Sequence, residues 1–375
     1  MGSVGLAMIA RNGADTIEAA LRPFCLKVDE ISIVLGGYSD DATAAIAGRY
    51  VPHLGMFAGE LFEDGSLTDF ALARQQSFDQ LDTDWAIVVD ADDCWEGVEN
   101  LRGLIDKAES LNGSAITVPY VIGRSLMLQP RIFRIDAGRW LGPIHEEFRL
   151  EPGAVNIQTN ELLIRQQATD EAHRWQRNGQ NLRIAERYLL GHPADLRTLA
   201  HLAKDYQVAE HPEKALEMVR RYLDAWQAQD EPEFNNQHSF VLQTKGTAEL
   251  SLGEAGEALQ TAARAIDCRE GGGAWSLLAE AALSMSTEAG SGGLLDLAIF
   301  AGERAMAQGK PRRGYPEGAD LSGPIPAYLK ATAQFLKGDW RPALATADLG
   351  LLIDPRHPEL NRLRETLCEK LNEVP

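Results

Sequence analysis

The sequence predicts an α/β domain with a mostly parallel sheet over residues 1–168, followed by an all-helical repeat domain over residues 169–375. Three observations carry that division. Apolar, β-branched runs alternate with helix-like segments through the first third of the chain, the pattern of parallel strands joined by right-handed crossovers. After about Ala168 the strand signal vanishes and helix follows helix. Within that second half Ala215, Ala258, Ala298 and Ala343 recur in one register, each in a small-residue context early in the second helix of a pair.

Val4 to Ile9 reads as the first buried strand, and the Ala10-Arg11-Asn12-Gly13 turn leads into a helix from about Asp15 to Phe24, capped by Asp15 or Thr16. Glu30 to Leu35 is the second strand. Gly36-Gly37-Tyr38-Ser39-Asp40-Asp41 follows it and opens a helix over Ala42 to Tyr50. A weak strand near Met56, a helix from Thr68 to Gln80, a strand from Trp85 to Asp90 and a helix over Val98 to Leu111 continue the alternation. The rhythm then turns β-rich, with strands at Ala115 to Tyr120, Arg131 to Arg134 and Val155 to Arg165.

In the helical half, Ala203, Gly246 and Ala331 stand twelve residues before three of the register alanines, and Ala279 takes that place in the third unit once seven residues near Ser286 to Gly292 are looped out. Tyr222, Ala265, Ala305 and Gly350 stand seven residues after them. Small residues at those offsets let antiparallel helices approach closely, so the pattern resembles tetratricopeptide repeats. The units start 43, 33 and 52 residues apart, which leaves an irregular helical bundle as the other reading. Glu359 to Leu371 is the expected cap helix.

With 375 residues, 45% hydrophobic and 24% charged, the composition is that of an ordinary globular protein with room for two domains. A net charge of -19 speaks against nucleic acid as a partner, because phosphate binding needs a cationic footprint. Cys25, Cys94, Cys268 and Cys368 are scattered without a CxxC pair, which points to reduced thiols and a cytoplasmic protein. The apolar stretch Val4 to Ala10 is short and interrupted by Gly5, and no window approaches the roughly 20 apolar residues of a membrane span. No signal peptide and no transmembrane helix are expected.

The stretch with the strongest chemical signal is Trp85 to Trp95, where a charge-free strand runs into Asp90, Asp92 and Asp93. Ligands of open α/β sheets gather at the carboxyl edge of the strands. Two aspartates two residues apart at a strand-to-loop junction can converge on one hard cation, Mg2+ or Mn2+, carrying a diphosphate. The competing reading is an acidic loop in which Asp92 or Asp93 caps the next helix.

Laid end to end, these segments resemble family 2 glycosyltransferases of the GT-A fold, a Rossmann-like domain, in the group that carries a tetratricopeptide-like second half. The residues that carry the resemblance are Leu6 to Asn12, Val28 to Ile31 with Ile33-Val34, Gly37 to Asp41, Asp69-Phe70 with Ala73-Arg74, and Asp84-Trp85 leading to Asp90-Ala91-Asp92-Asp93. Arg131 to Arg134 and Trp140 with Gly142 to Glu146 look like the group's later motif.

The resemblance implies transfer of a sugar from a nucleoside-diphosphate sugar to a polypeptide or glycan acceptor. It places Ala10, Arg11, Asn12, Leu35, Gly37 and Asp40 at the nucleotide, together with Arg74, Asp90, Ala91, Arg131 and Arg134. Asp90 and Asp92 are the implied ligands of Mn2+ or Mg2+, with His145 as a further metal ligand or a phosphate contact. Inversion at the anomeric carbon requires a carboxylate base, for which Glu146 is the candidate and Glu147 the substitute. The helical half is expected to hold the acceptor or a second copy of the chain, giving a homodimer. Departures from the family pattern are Leu35 where an acid usually reads the base or ribose, Gly13 in place of Glu, and Gln75 in place of Asn.

Two other functions compete. A non-catalytic interaction protein keeping the GT-A shape is favoured by Leu35 and opposed by Asp90, Asp92, Arg74 and His145-Glu146, since packing gives no reason to keep edge carboxylates. A nucleotidyltransferase would need a Gly-rich, basic phosphate loop after the first strand, and Arg11-Asn12-Gly13 is a poor version of one.

Overall fold

The apolar run at the amino end forms strand β1 (Val4–Ala10), buried along its length except for a partly exposed Ile9. The chain then passes through α1 (Ile17–Leu21), β2 (Glu30–Leu35), α2 (Thr43–Ala47), β3 (Gly55–Met56), α3 (Phe70–Asp79) and β4 (Trp85–Val88). A computed structural model describes residues 2–51, 54–122, 125–167, 171–229, 236–289, 291–308 and 323–373. It divides into two compact units, residues 1–190 and 191–375. The boundary expected at 168/169 lies outside the described residues.

The helices of the first unit are shorter than their sequence pattern. α1 tightens into a 3-10 turn at Arg22–Phe24, where Pro23 has no N–H to continue the ladder. Thr16 precedes α1 but its side chain makes no cap bond, and α2 stops at Gly48. In α3 the cap is Asp69, whose carboxylate accepts from the Leu72 N–H.

Beyond β4 come β5 (Asp93–Glu96), α4 (Leu101–Ser110), β6 (Gly113–Ile122), β7 (Ser125–Arg134), β8 (Gly138–Leu141), β9 (Glu147–Leu150), β10 (Val155–Gln158), β11 (Leu163–Gln166) and α5 (Glu171–Gly191). The main sheet runs β3-β2-β1-β4-β7-β6-β11-β5, with β10 also on β6. Its β3-β2-β1-β4 half is parallel, as the alternation predicts. The rest is mixed: β6 is parallel to β10 and β11, whereas β7 lies antiparallel to both β4 and β6 and β5 antiparallel to β11, so parallel pairs predominate as expected but the sheet is not parallel throughout. β6 and β7 follow one another as long adjacent strands, and such neighbours pair antiparallel.

One sheet face packs on Ile17, Leu21, Phe24, Leu101, Leu104 and Ile105 from α1, α4 and the turn between α1 and β2. The other carries an aromatic cluster. Phe78 of α3, Phe133 of β7, Trp140 of β8 and Phe148 of β9 have ring centroids between 4.6 and 6.4 Å apart. Tilted and edge-on contacts at that range hold α3 and the β8-β9 ribbon on one patch of sheet.

The second unit is an array of helices α6 (Leu196–Val208), α7 (Pro212–Gln227), α8 (Asn236–Ser251), α9 (Ala255–Cys268), α10 (Gly272–Ala289), α11 (Gly292–Ala307), α12 (Pro324–Lys337), α13 (Trp340–Ile353) and α14 (Pro358–Glu373). Ala215, Ala258, Ala298 and Ala343 sit on α7, α9, α11 and α13 and are fully buried. Ala203, Ala279 and Ala331 on the preceding helices are equally buried. Gly246 faces Leu277 so closely that a Cβ there would lie 2.5 Å from the Leu277 side chain. The register read from the sequence is therefore the register of close helix packing, and the unit is tetratricopeptide-like. Among the described residues no helix is long and apolar enough to cross a membrane.

Candidate functional site

The carboxyl edge of the parallel half gathers an ion-pair network. β4 stops at Val88, earlier than the expected Asp90, because the Asp90 N–H is taken by a side chain: it donates to Asp93 Oδ2 at 2.9 Å while the Asp93 N–H donates to Asp90 O at 3.0 Å. This tight turn exposes the Asp90 carboxylate to its neighbours. Asp93 caps no helix; it begins β5 and accepts from the Tyr120 hydroxyl at 3.0 Å.

Two buried arginines converge on Asp90. Arg74, from α3, donates Nη2 to Asp90 Oδ1 and Nε to Glu146 Oε1 at 3.0 Å. Arg131, from β7, donates Nη1 to Asp90 Oδ2 at 2.9 Å and stacks over the Tyr120 ring with its guanidinium carbon 4.8 Å from the centroid. Gln129 Oε1 accepts from Arg131 Nε at 3.2 Å. Burial opposes ionisation of Asp90, but the charges and hydrogen bonds of Arg74 and Arg131 outweigh it and hold the carboxyl well below its usual range. Burial likewise opposes the charge on both arginines, and Asp90, with Glu146 for Arg74 and Asp93 for Arg131, drives them further into the charged form. Asp93 is shifted the other way: burial and the Asp90 charge push its carboxyl up, and burial with Asp93 pushes up Tyr120.

Glu146 reaches this network because its loop is tied to α3. The Phe70 N–H donates to Pro143 O at 2.7 Å, and Gly142 and His145 both take positive φ, 88° and 51°. A histidine held in the left-handed region is uncommon and recurs at functional loops. Trp140, at the base of the same loop, lies under Arg74 with the guanidinium carbon 5.7 Å from its ring. Arg74 Nη1 and Trp140 Nε1 are buried donors without an acceptor among the described residues. A buried donor left unpaired costs stability unless a ligand atom completes it.

Asp92 sits beside the network with different partners. Its Oδ2 accepts from Gln166 Nε2 at 2.9 Å and from Arg177 Nη2 of α5 at 3.2 Å. At the carboxyl end of β1, Ala10 stands opposite a buried Leu35, and Ala91 packs on the core. Arg11 donates to Tyr38 O at 3.1 Å and Asp64 O at 2.9 Å, and Asn12 Oδ1 accepts from the Asp40 N–H at 2.9 Å. Asp41, next to Asp40, accepts from the Thr43 N–H and from the Ala14 N–H and so ties the start of α2 to the turn after β1. Gly37 has φ 111°, and a Cβ there would meet Gly65 O at 1.9 Å, so only glycine fits.

Two expected site residues lie elsewhere. Arg134 pairs in register with Trp85 at the amino end of β4 and binds Asp136, three strand positions from Arg131. Glu147 faces Arg149 on the β8-β9 ribbon. Tyr120, Gln129, Gln166 and Arg177 belong to the network and were not marked in the sequence; Tyr120 and Gln166 had only their place near strand ends as a signal.

The Asp90, Asp92 and His145 set does not fit a divalent ion. Both Asp90 oxygens are occupied by guanidinium groups that cannot leave the protein, and a dication there would stand beside two fixed positive charges. Among the described residues no group of three or more His, Cys, Asp or Glu is disposed to share a metal.

No family model matches the chain. It is 34% identical over 113 residues to a TPR repeat-containing protein of Synechococcus elongatus, a stretch that is 30% of this chain and 26% of that protein. The chain thus spans about a quarter of the relative's length. Among solved structures, YrrB, a TPR protein with an unusual peptide-binding site, aligns at 17% identity and TM-score 0.36, over 52% of this chain and 86% of that one. S. aureus TarS 1-349 aligns at 12% identity and TM-score 0.37, over 77% of this chain and 92% of that one.

Proposed function

We propose that the α/β unit transfers a sugar from a nucleoside-diphosphate sugar and that the tetratricopeptide-like unit recruits the acceptor, a polypeptide or a glycan. The observation that carries the reading is the buried Arg74-Asp90-Arg131 network at the carboxyl edge of the parallel strands, with Arg74 Nη1 and Trp140 Nε1 unpaired. Burying ions costs several kcal/mol each, so a network that packing does not require is a sign of a binding task. The donor's diphosphate supplies the oxygen acceptors that these donors lack.

Glu146 is the base in this reading. Arg74 holds one of its oxygens, which fixes the carboxylate at the edge while leaving the other oxygen to take a proton. The acceptor hydroxyl oxygen bonds to the anomeric carbon, its proton passes to Glu146, and the bond from that carbon to the diphosphate oxygen breaks with its electron pair leaving on the diphosphate. Arginines facing that oxygen stabilise the charge it gains.

A second reading, a non-catalytic scaffold, is favoured by the closure of Asp90, both of whose oxygens are already bonded within the chain. Melting curves of the full chain with UDP, GDP, CDP, ADP and dTDP and their common sugar conjugates, with Mn2+ or with EDTA, separate the two. A ligand at 100 times its dissociation constant raises stability by about 2.7 kcal/mol. A donor that stabilises the protein, and a Glu146→Gln variant that keeps its affinity but loses most transfer, are the expected results. No shift with any nucleotide leaves the scaffold.

A further inference from the structure

We propose that the positive charge facing the donor diphosphate comes from the chain itself, with Arg177 of α5 leaving Asp92 to bind it, so that donor binding needs no divalent metal. The inference rests on the transferase reading above and changes what holds the donor.

The first ground is that arginines already occupy the place of the expected cation. Arg74 and Arg131 take both oxygens of Asp90, and Arg177 takes Asp92, the second carboxylate of the pair. Each of the three guanidiniums is therefore paired with a carboxylate, Asp90, Asp92 or Glu146, with Asp93 a fourth carboxylate 3.9 Å from Arg131, and both carboxylates of the expected metal pair already have a cation beside them.

The second ground is that the three arginines differ in freedom. Arg74 and Arg131 have side chains only 10% exposed and are locked by stacking on Trp140 and Tyr120. The Arg177 side chain is 50% exposed, and its bond to Asp92 is a single contact at 3.2 Å. A half-exposed single-contact pair of this kind is weak, and Gln166 stays on Asp92 when Arg177 departs. A guanidinium meets phosphate oxygens with two parallel N–H bonds, a better match than the one it gives up.

The third ground is that α5 is anchored along the same edge. Arg183 pairs with Asp64 at 2.7 Å, Arg187 pairs with Glu60, and both guanidiniums stack on Phe62. That loop is joined to the end of β2 by the Gly37 to Ser66 bridge and to Arg11 through Asp64 O. The helix carrying Arg177 is thereby fixed to the loops that flank the carboxyl ends of β1 and β2.

Isothermal titration of the full chain with UDP, GDP, CDP, ADP and dTDP, in EDTA and in Mn2+, tests the inference. The expected result is that a nucleotide bound in Mn2+ is bound within about threefold as well in EDTA. Arg177→Ala should weaken it by at least about tenfold, the loss of a charge-assisted contact. Arg177→Lys should fall between, keeping the charge and losing the fork. Melting curves without ligand show whether each variant is folded, and Arg177→Gln replaces any that is not. Binding that requires Mn2+ overturns the inference and leaves the transferase reading standing. Metal-free binding that Arg177→Ala does not weaken overturns it as well. Absence of binding to every nucleotide in both buffers overturns the transferase reading, and this inference with it.

Discussion

At the scale of single residues, Asp90 and Asp93 show how neighbours divide two like groups. They lie three positions apart in one turn, yet Asp90 faces two guanidiniums and Asp93 faces Tyr120 and the Asp90 N–H, with Arg131 Nη1 only 3.9 Å away. Burial, the Asp90 charge and then that of Asp92 push the Asp93 carboxyl up to about 7, with Arg131 opposing. The folded chain then keeps a proton that the unfolded chain gives up near pH 4, so stability from this group is present at low pH and lost as pH rises through about 7. Asp90 works in the other direction, since its lowered value makes its contribution present above the ordinary carboxylate range and lost only on acidification. Between pH 5 and 8 the Asp93 effect stands alone in this pair. Asp93→Asn removes the titration, so urea denaturation should show the wild type losing stability relative to the variant from pH 5 to pH 8. Parallel curves across that range would reject the assignment.

At the scale of elements, the repeat register makes the sharpest claim. Ala258 on α9 is fully buried, as are Ala262 and Ala265 on the same helix face, so a larger side chain has nowhere to go. Ala258→Trp should cost about 1–3 kcal/mol or more by forcing the helices apart, read as a lowered urea midpoint with the slope unchanged. An unchanged midpoint would place Ala258 outside the close contact. The register was legible because small residues at helix crossings repeat locally, and β1, β2 and β4 were legible because uninterrupted apolar runs mark strands buried on both faces. The insertion of β7 next to β4 was not, since antiparallel pairing of Ile132 with Ile87 is a choice made by the tertiary structure. The network divides along the same line. Asp90 stood out as a charge at the end of an apolar strand, and Arg74, Arg131 and Glu146 were marked by the family resemblance, whereas Arg177 meets Asp92 across 85 residues and sits in a helix whose pattern is simply polar. Tyr120 looked like the end of a strand and nothing more.

At the scale of the whole molecule, each unit has its own core. The sheet unit is built around Trp85, Phe24 and Ile87, and the helical unit around small buried residues such as Ala262, Ala279 and Ala301 with Leu277 and Leu329. Chains with two such cores depart from two-state unfolding, because each unit can melt with its own enthalpy. Scanning calorimetry of the full chain should therefore resolve two transitions. The proposed roles assign them: a bound nucleoside diphosphate stabilises only the state that holds the sheet edge, so saturating ligand should raise the transition of the α/β unit, by about 2.7 kcal/mol at 100 times the dissociation constant. Ala258→Trp acts on helix packing and should lower only the other transition. Used together, the two perturbations label the peaks without cutting the chain. A single transition moved by both would show that the units unfold as one, and a nucleotide that raises only the Ala258-sensitive peak would move the binding site out of the Asp90 network altogether.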